Sequence, residues 1–201
     1  FVAGDDIHEK TSDGVLVQRD QLFAIGDTTF AIEICEDLWA PESPGIRHSL
    51  AGAEFIVNLS ASNELIGKSD YRRTLVQMAS ARGICGYLYA SSGPLESTKD
   101  LVFGGHLLVA ENGVVIAESK RFSLQAQTLV TEFDLSKLRH DRMQNTTFTN
   151  ARRPKDYVRS PMGGAGVAIN ALDSLRRPVD PQPFVPTDEA QLAARANEIL
   201  S

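Results

Sequence analysis

Phe30-Ala31-Ile32-Glu33-Ile34-Cys35-Glu36-Asp37-Leu38-Trp39-Ala40-Pro41 is the stretch from which the rest of the chain can be read. Phe30, Ile32 and Ile34 recur with period two, which predicts a β-strand with those three on its buried face and Ala31, Glu33 and Cys35 on the other. Cys35 is then expected as the last strand residue, before polar Glu36 and Asp37. Pro41 and Pro44 exclude an early return to regular structure. A thiol at a strand end beside a loop is well placed to act as a nucleophile. The competing reading is one more small core residue, since free cysteine is among the most buried residue types.

Upstream of this stretch, Val15 to Gln18 and Phe23 to Ile25 read as short strands, with Gly26-Asp27 as turn punctuation. Glu9 and Lys10 fall in a polar run that reads as a loop or hairpin arm. Downstream, residues 45 to 53 hold a short helix. Phe55-Ile56-Val57 is the continuous apolar run of a strand buried on both faces, delivering Asn58 to Asn63 to a surface edge. Asp70 is expected to cap a helix from Tyr71 to about Ala81, where Leu75, Met78, Ala79 and Arg82 fall at helical spacing. Cys85 to Ala90 is another buried strand. Glu111-Asn112-Gly113 between two apolar runs is a strong hairpin signal. Thr128 to Asp134 is expected as a last strand and Leu135 to Asp141 as a short helix.

Strands alternating with helices, plus a hairpin, predict a layered α/β fold with a mixed sheet. After Asn150 the composition changes to turn chemistry, so residues 1–150 read as one domain. Residues 151–201 read as a linker ending in an amphipathic helix, capped by Thr187 and Asp188, with Leu192, Ala196 and Ile199 on one face. Gly163-Gly164-Ala165-Gly166 lacks the following Lys-Ser/Thr of a phosphate-binding loop and belongs to that linker.

With 201 residues, 42% hydrophobic and 23% charged, the chain can build a substantial core. The net charge of −6 argues against nucleic-acid binding as its main task. No apolar run approaches membrane-spanning length and no basic-then-apolar leader opens the sequence, so no membrane role is expected and the location reads as cytoplasmic. Two cysteines and four histidines without regular spacing give neither a disulfide framework nor a metal signature.

Cys35-Glu36-Asp37-Leu38-Trp39 resembles the nucleophile segment of the nitrilase (carbon-nitrogen hydrolase) superfamily, and specifically of the glutaminase domains of glutamine-dependent NAD synthetases. Asn58-Leu59-Ser60-Ala61-Ser62-Asn63-Glu64 followed by Gly67-Lys68 resembles that family's glutamine-binding strand and loop. Glu96-Ser97-Thr98-Lys99-Asp100-Leu101-Val102-Phe103-Gly104-Gly105 resembles its next signature, and Pro183-Phe184-Val185-Pro186 its lead-in to a synthetase domain. Three runs in the same order are far more specific than one.

The resemblance implies part of a nitrilase-type α-β-β-α sandwich with mixed β-sheets, followed by a linker. It implies Cys35 as nucleophile, the Glu36 main-chain N–H as an oxyanion donor, and Ser62 and Lys68 as contacts to glutamine. The family's general-base glutamate and its lysine lie upstream of the nucleophile, and Glu9 and Lys10 do not match them. The chain is therefore expected to be the C-terminal part of a larger glutaminase domain, inactive by itself. The implied partners are glutamine, a synthetase domain of the same polypeptide that uses ATP and Mg, and further copies in a homo-oligomer; no cofactor is expected in this segment. Two other readings stay open: another nitrilase-type amidase, and a non-catalytic scaffold of the same fold. Trp39 and Tyr87 are candidates for a pocket wall, Cys85 for the core, and Ser97, Thr98 and Asp100 for turn stabilisation.

Overall fold

The computed structural model describes residues 9–10, 16–17, 20–155, 157–162, 185 and 188–200. The chain divides into two units, residues 1–170 and 171–201. In the first unit, β1 (Glu9–Lys10) and β2 (Leu16–Val17) pair antiparallel in a small sheet of their own, consistent with a hairpin arm. The main elements follow in order: β3 (Gln21–Ile25), β4 (Thr28–Ile34), α1 (Pro44–Ala51), β5 (Phe55–Ser60), α2 (Lys68–Gly83), β6 (Gly86–Ser91), β7 (Leu107–Glu111), β8 (Val114–Glu118), α3 (Leu135–Gln144), α4 (Thr146–Thr149) and β9 (Val158–Pro161). Seven of these strands form one mixed sheet in the order β8-β7-β6-β5-β4-β3-β9. The central β4, β5 and β6 run parallel, so their carboxyl ends lie side by side.

The two faces of this sheet differ in cover. Ala31 and Glu33 of β4, Ile56 and Asn58 of β5, Tyr87 and Tyr89 of β6, and Leu108 and Ala110 of β7 are all buried on the face that carries α1 and α2. Leu22, Leu38, Ala53, Cys85 and, from α2, Val76 join this core. On the other face Ile32 is 39% exposed, Ile34 47% and Leu59 52%. The strand predicted from the period-two pattern is therefore present, but with its faces exchanged: the branched apolar side chains face outward and the alanine-glutamate face goes under the helices. Period two fixes which residues share a face and not which face meets which layer. The phenyl rings of Phe23, Phe30 and Phe55 stack across this second face with centroids 5.3 and 5.2 Å apart, and Phe133 continues the stack at 6.1 Å.

Several expectations are corrected at their ends. Cys35 does not finish β4; it opens a 3-10 turn, Cys35–Trp39. α2 starts at Lys68 rather than Tyr71, with Gly67 in its N-cap position and Asp70 inside the first turn. Residues 125–134 form no strand: Val130 is exposed, Phe133 packs on Phe55, and Asp134 serves as the N-cap of α3, accepting from Lys137 N. Its own N–H is taken by Glu111 Oε2 at 2.8 Å, so the segment's polar contact is with a side chain and not a ladder. Val158–Pro161, within the stretch read as linker, adds β9 parallel to β3. The hairpin between β7 and β8 turns at Asn112 and Gly113 with φ of 44° and 86°, the two positive angles that such a two-residue turn requires.

In the second unit, α5 (Glu189–Leu200) is capped by Asp188 Oδ1, which accepts from Ala190 N and Gln191 N at 2.7 and 3.1 Å. Thr187 and the glycine run from Gly163 lie outside the described residues. Among the described residues no helix is long and apolar enough to cross a membrane.

Candidate active site

Ligand sites in open α/β sheets form beyond the carboxyl ends of parallel strands, and that is where the sequence candidates fall. Cys35 follows β4 directly, Ser62 lies two residues past β5, and Lys68 opens the helix after it. Cys35 has φ 49°. A non-glycine residue in that left-handed region costs about 1 kcal/mol, a strain that recurs at functional sites. Two polar contacts secure the turn. Asp37 Oδ2 reaches back to accept from Ile34 N at 2.8 Å. Asn58, fully buried, points Nδ2 at the Cys35 carbonyl at 3.5 Å while its Oδ1 accepts from Ser60 Oγ at 2.8 Å.

The thiol of Cys35 is partly exposed, whereas Cys85 is fully buried and its thiol is pushed up to about 11 by burial. Cys85 is thus the inert core residue expected. Glu36 is exposed, and its carboxylate has no hydrogen bond or ion pair with a described residue; Arg72 and Arg73 pair instead with Glu64 and Glu118. The first N–H groups of a helical turn have no partner within it, which leaves the Glu36 N–H suited to meet a developing oxyanion.

Lys68 is tied to the turn that Cys35 opens. Its Nζ lies 5.2 Å from the centre of the Trp39 ring and donates to Asn63 Oδ1 at 2.8 Å. An ammonium has three donors, so its bond to Asn63 leaves two that can meet a further acceptor. Ser62 is buried, and its carbonyl faces Ser91 Oγ at 3.5 Å. The structure thus connects Cys35 to Lys68 through Trp39, and places Ser62 on the loop between β5 and α2. It does not join the Glu36 carboxylate to any of them.

Sequence reasoning left Glu33 without a role. Its carboxylate is fully buried, accepts from the Tyr87 hydroxyl at 2.5 Å, and also receives Ser43 Oγ and Gly45 N at the start of α1. Glu33 thereby fastens β4 to the N-terminus of α1. The available signal was a carboxylate at an in-pattern position beside Ala31. Asn58 stood inside a quoted motif but was given no task. Trp39 and Tyr87 do share a wall, together with Leu38, Ile56 and Leu75, around a cavity of about 230 Å³; Cys35, Glu36, Ser62 and Lys68 do not line it. Ser97 and Thr98 act as expected, accepting from Phe103 N at 3.0 Å and Leu101 N at 3.1 Å. Among the described residues no cluster of His, Cys, Asp and Glu could hold a metal ion.

Residues 8–143 match the family profile described as carbon-nitrogen hydrolase. The glutamine-dependent NAD(+) synthetase of Mycobacterium tuberculosis is 38% identical over 179 residues, which is 86% of this chain and 26% of that protein. The Mycobacterium leprae protein of the same name is 37% identical over 206 residues, covering 94% and 29%. This chain therefore spans about a quarter of the length of these relatives. Among solved structures, a glutamine-dependent NAD(+) synthetase from Cytophaga hutchinsonii superposes with TM-score 0.50 at 29% identity, over 61% of this chain and 19% of that one. A carbon-nitrogen hydrolase from Helicobacter pylori superposes with TM-score 0.52 at 20% identity, over 63% and 46%, a likeness of fold.

Proposed function

We infer, from the fact that this chain belongs to the carbon-nitrogen hydrolase family, that it carries the glutaminase machinery of a glutamine-dependent NAD synthetase. The observation that supports this most is the strained Cys35 at the carboxyl end of β4, joined through Trp39 to Lys68 on the neighbouring loop and helix. In this reading the Cys35 thiolate attacks the side-chain carboxamide carbon of glutamine. The Glu36 N–H receives the oxyanion, ammonia leaves with a proton from a general acid, and a thioester remains. Water then attacks the thioester, releasing glutamate and restoring the thiol.

Lys68 holds the α-carboxylate and Ser62 meets the polar groups at the same end of the substrate. The ammonia passes to a synthetase portion that uses ATP and Mg to amidate nicotinic acid adenine dinucleotide. No step of the hydrolysis needs either cofactor. The relatives' shared name supports glutamine over other small amides as substrate.

Replacing Cys35 by Ala in the full-length polypeptide tests the assignment. Glutamine-dependent NAD formation should fall to background while formation from supplied ammonia persists, because only the ammonia source is removed. Equal loss with both nitrogen sources would overturn the two-part scheme.

A further inference from the structure

Between Ser62 and Lys68 lies a residue held more firmly than either. Glu64 donates its N–H to Val102 O at 2.7 Å, accepts Arg72 Nη1 on Oε1 at 2.8 Å, and accepts Arg121 Nη1 on Oε2 at 3.3 Å. These partners belong to three separate segments: the loop before β7, helix α2, and the stretch after β8. Arg72 is fully buried. Its Nε and Nη2 have no hydrogen-bond partner among the described residues, and Glu64 is the one carboxylate there in an ion pair with it.

Arg72 Nη1 also meets His106 Nδ1 at 3.1 Å, and a guanidinium can only donate, so Nδ1 accepts and the ring proton sits on Nε2. That Nε2 then donates to Glu118 Oε1 at 2.9 Å, and Arg73 holds the second oxygen of Glu118 at 3.0 Å. The chain of contacts thus runs from the loop that carries Ser62 to the far hairpin strand. Space is as specific as charge here: a Cβ on Gly104 would meet Glu64 Oε1 at 2.5 Å. A side chain at position 104 would have to push the Glu64 carboxylate out of the position in which it meets Arg72 and Arg121.

We propose that Glu64 is a positioning residue that fixes the 61–68 loop for substrate through its buried pair with Arg72, and that Gly104 is bare to admit its carboxylate. The proposal rests on the glutaminase reading for the identity of the substrate. Ser62 and Lys68 make the contacts to glutamine, and Glu64 makes none. A buried guanidinium left unpaired is strongly unfavourable, so loss of the Glu64 charge drives Arg72 to seek water and releases the loop from its anchor on α2. Gly104→Ala displaces the same carboxylate from Arg72 without altering any charge, so it should reproduce the loss. Removing both charges relieves the unpaired guanidinium without restoring the loop.

Glu64→Gln, Gly104→Ala and the double variant Glu64→Gln/Arg72→Met should be compared in the full-length polypeptide. Each is expected to raise the glutamine KM roughly tenfold or more with kcat within about twofold, the split expected when uniform binding is lost. The double variant should be no worse than Glu64→Gln, since the pair acts as one unit. Hydrogen exchange read on peptides covering 61–68 should quicken at least about tenfold, while peptides of α1 stay protected. An unchanged KM beside normal wild-type turnover overturns the proposal alone. Absence of glutamine turnover in the wild type overturns the substrate reading, and the exchange arm still decides the clamp: unchanged 61–68 protection in Glu64→Gln refutes it. Loss of α1 protection as well would show a merely structural pair and also refute it.

Discussion

The ammonium of Lys68 sits over the indole of Trp39, 5.2 Å from the ring centre, so the helix after β5 touches the turn that Cys35 opens. A cation on an aromatic face contributes about 0.5–1 kcal/mol where solvent reaches it, enough to bias where the side chain rests and too little to lock it. Lys68→Ala is expected to raise the glutamine KM by about 10- to 100-fold with little change in kcat, because a carboxylate contact distant from the scissile amide holds ground and transition states alike. Steady-state kinetics over glutamine concentration check this. A KM unchanged in Lys68→Ala would remove the residue from the site.

The fastening of β4 to α1 is testable through stability. Glu33→Ala leaves Tyr87, Ser43 and the Gly45 N–H without their buried acceptor, an expected loss of about 3 kcal/mol. Tyr87→Phe removes one donor and should cost less, about 1–2 kcal/mol. Chemical unfolding measures both. A Glu33→Ala loss below about 0.5 kcal/mol, the range of a neutral surface change, would contradict the role.

Acid should weaken the fold by way of His48. Burial pulls this ring from 6.5 down to about 4, outweighing the nearby Asp20 and Asp37, which act to raise it; Nδ1 lies 2.8 Å from the Tyr157 hydroxyl. As pH falls below 6.5 the unfolded chain takes up the proton first. The contribution is therefore complete above about pH 6.5 and lost on the way down to pH 4, on the order of 3 kcal/mol in all. His106, also lowered, chiefly by burial, adds in the same direction. Unfolding free energies at pH 7, 5.5 and 4 should fall less steeply in His48→Asn than in the wild type. Equal slopes would contradict the assignment.

The outward apolar face of the sheet predicts the behaviour of the 201-residue chain on its own. Ile32, Ile34 and Leu59 stand on one side of two adjacent parallel strands, the type of patch that marks a contact surface or an aggregation hazard. The isolated chain is expected to bind a hydrophobic dye, and Ile32→Lys with Leu59→Glu should abolish the signal. A dye-silent wild-type chain, or a signal unchanged in the double variant, would contradict this account of the exposed face.

Much of the scaffold was legible because local patterns were strong. Asn112-Gly113 fixed a hairpin, the apolar run at Phe55 fixed a central strand, and buried Cys85 announced itself by its lack of polar neighbours. The cover of β4 was not legible, since Phe30, Ile32 and Ile34 satisfy period two whichever face the helices take. The strand expected at Thr128 to Asp134 had suitable residue types, yet Glu111 and Phe55 offered a side-chain acceptor and a ring stack in place of a ladder. For the candidate site, the motifs singled out Cys35, Ser62 and Lys68, and the structure sets all three just beyond the carboxyl ends of β4 and β5. The residues that hold them, Glu33, Asn58 and Glu64, act through partners 10 to 54 positions away in sequence in the case of Glu33, a separation that no local reading spans.

The central claim, that Cys35 is the nucleophile of a glutamine amidohydrolase, is tested most directly by covalent trapping. The full-length polypeptide would be treated with a glutamine analogue that carries an electrophilic carbon in place of the carboxamide, then digested and read by mass spectrometry. The account predicts a single adduct on the Cys35 peptide, prevented by excess glutamine and absent from the Cys85 peptide. An adduct on another residue, or labelling of Cys35 that glutamine does not protect, would contradict it.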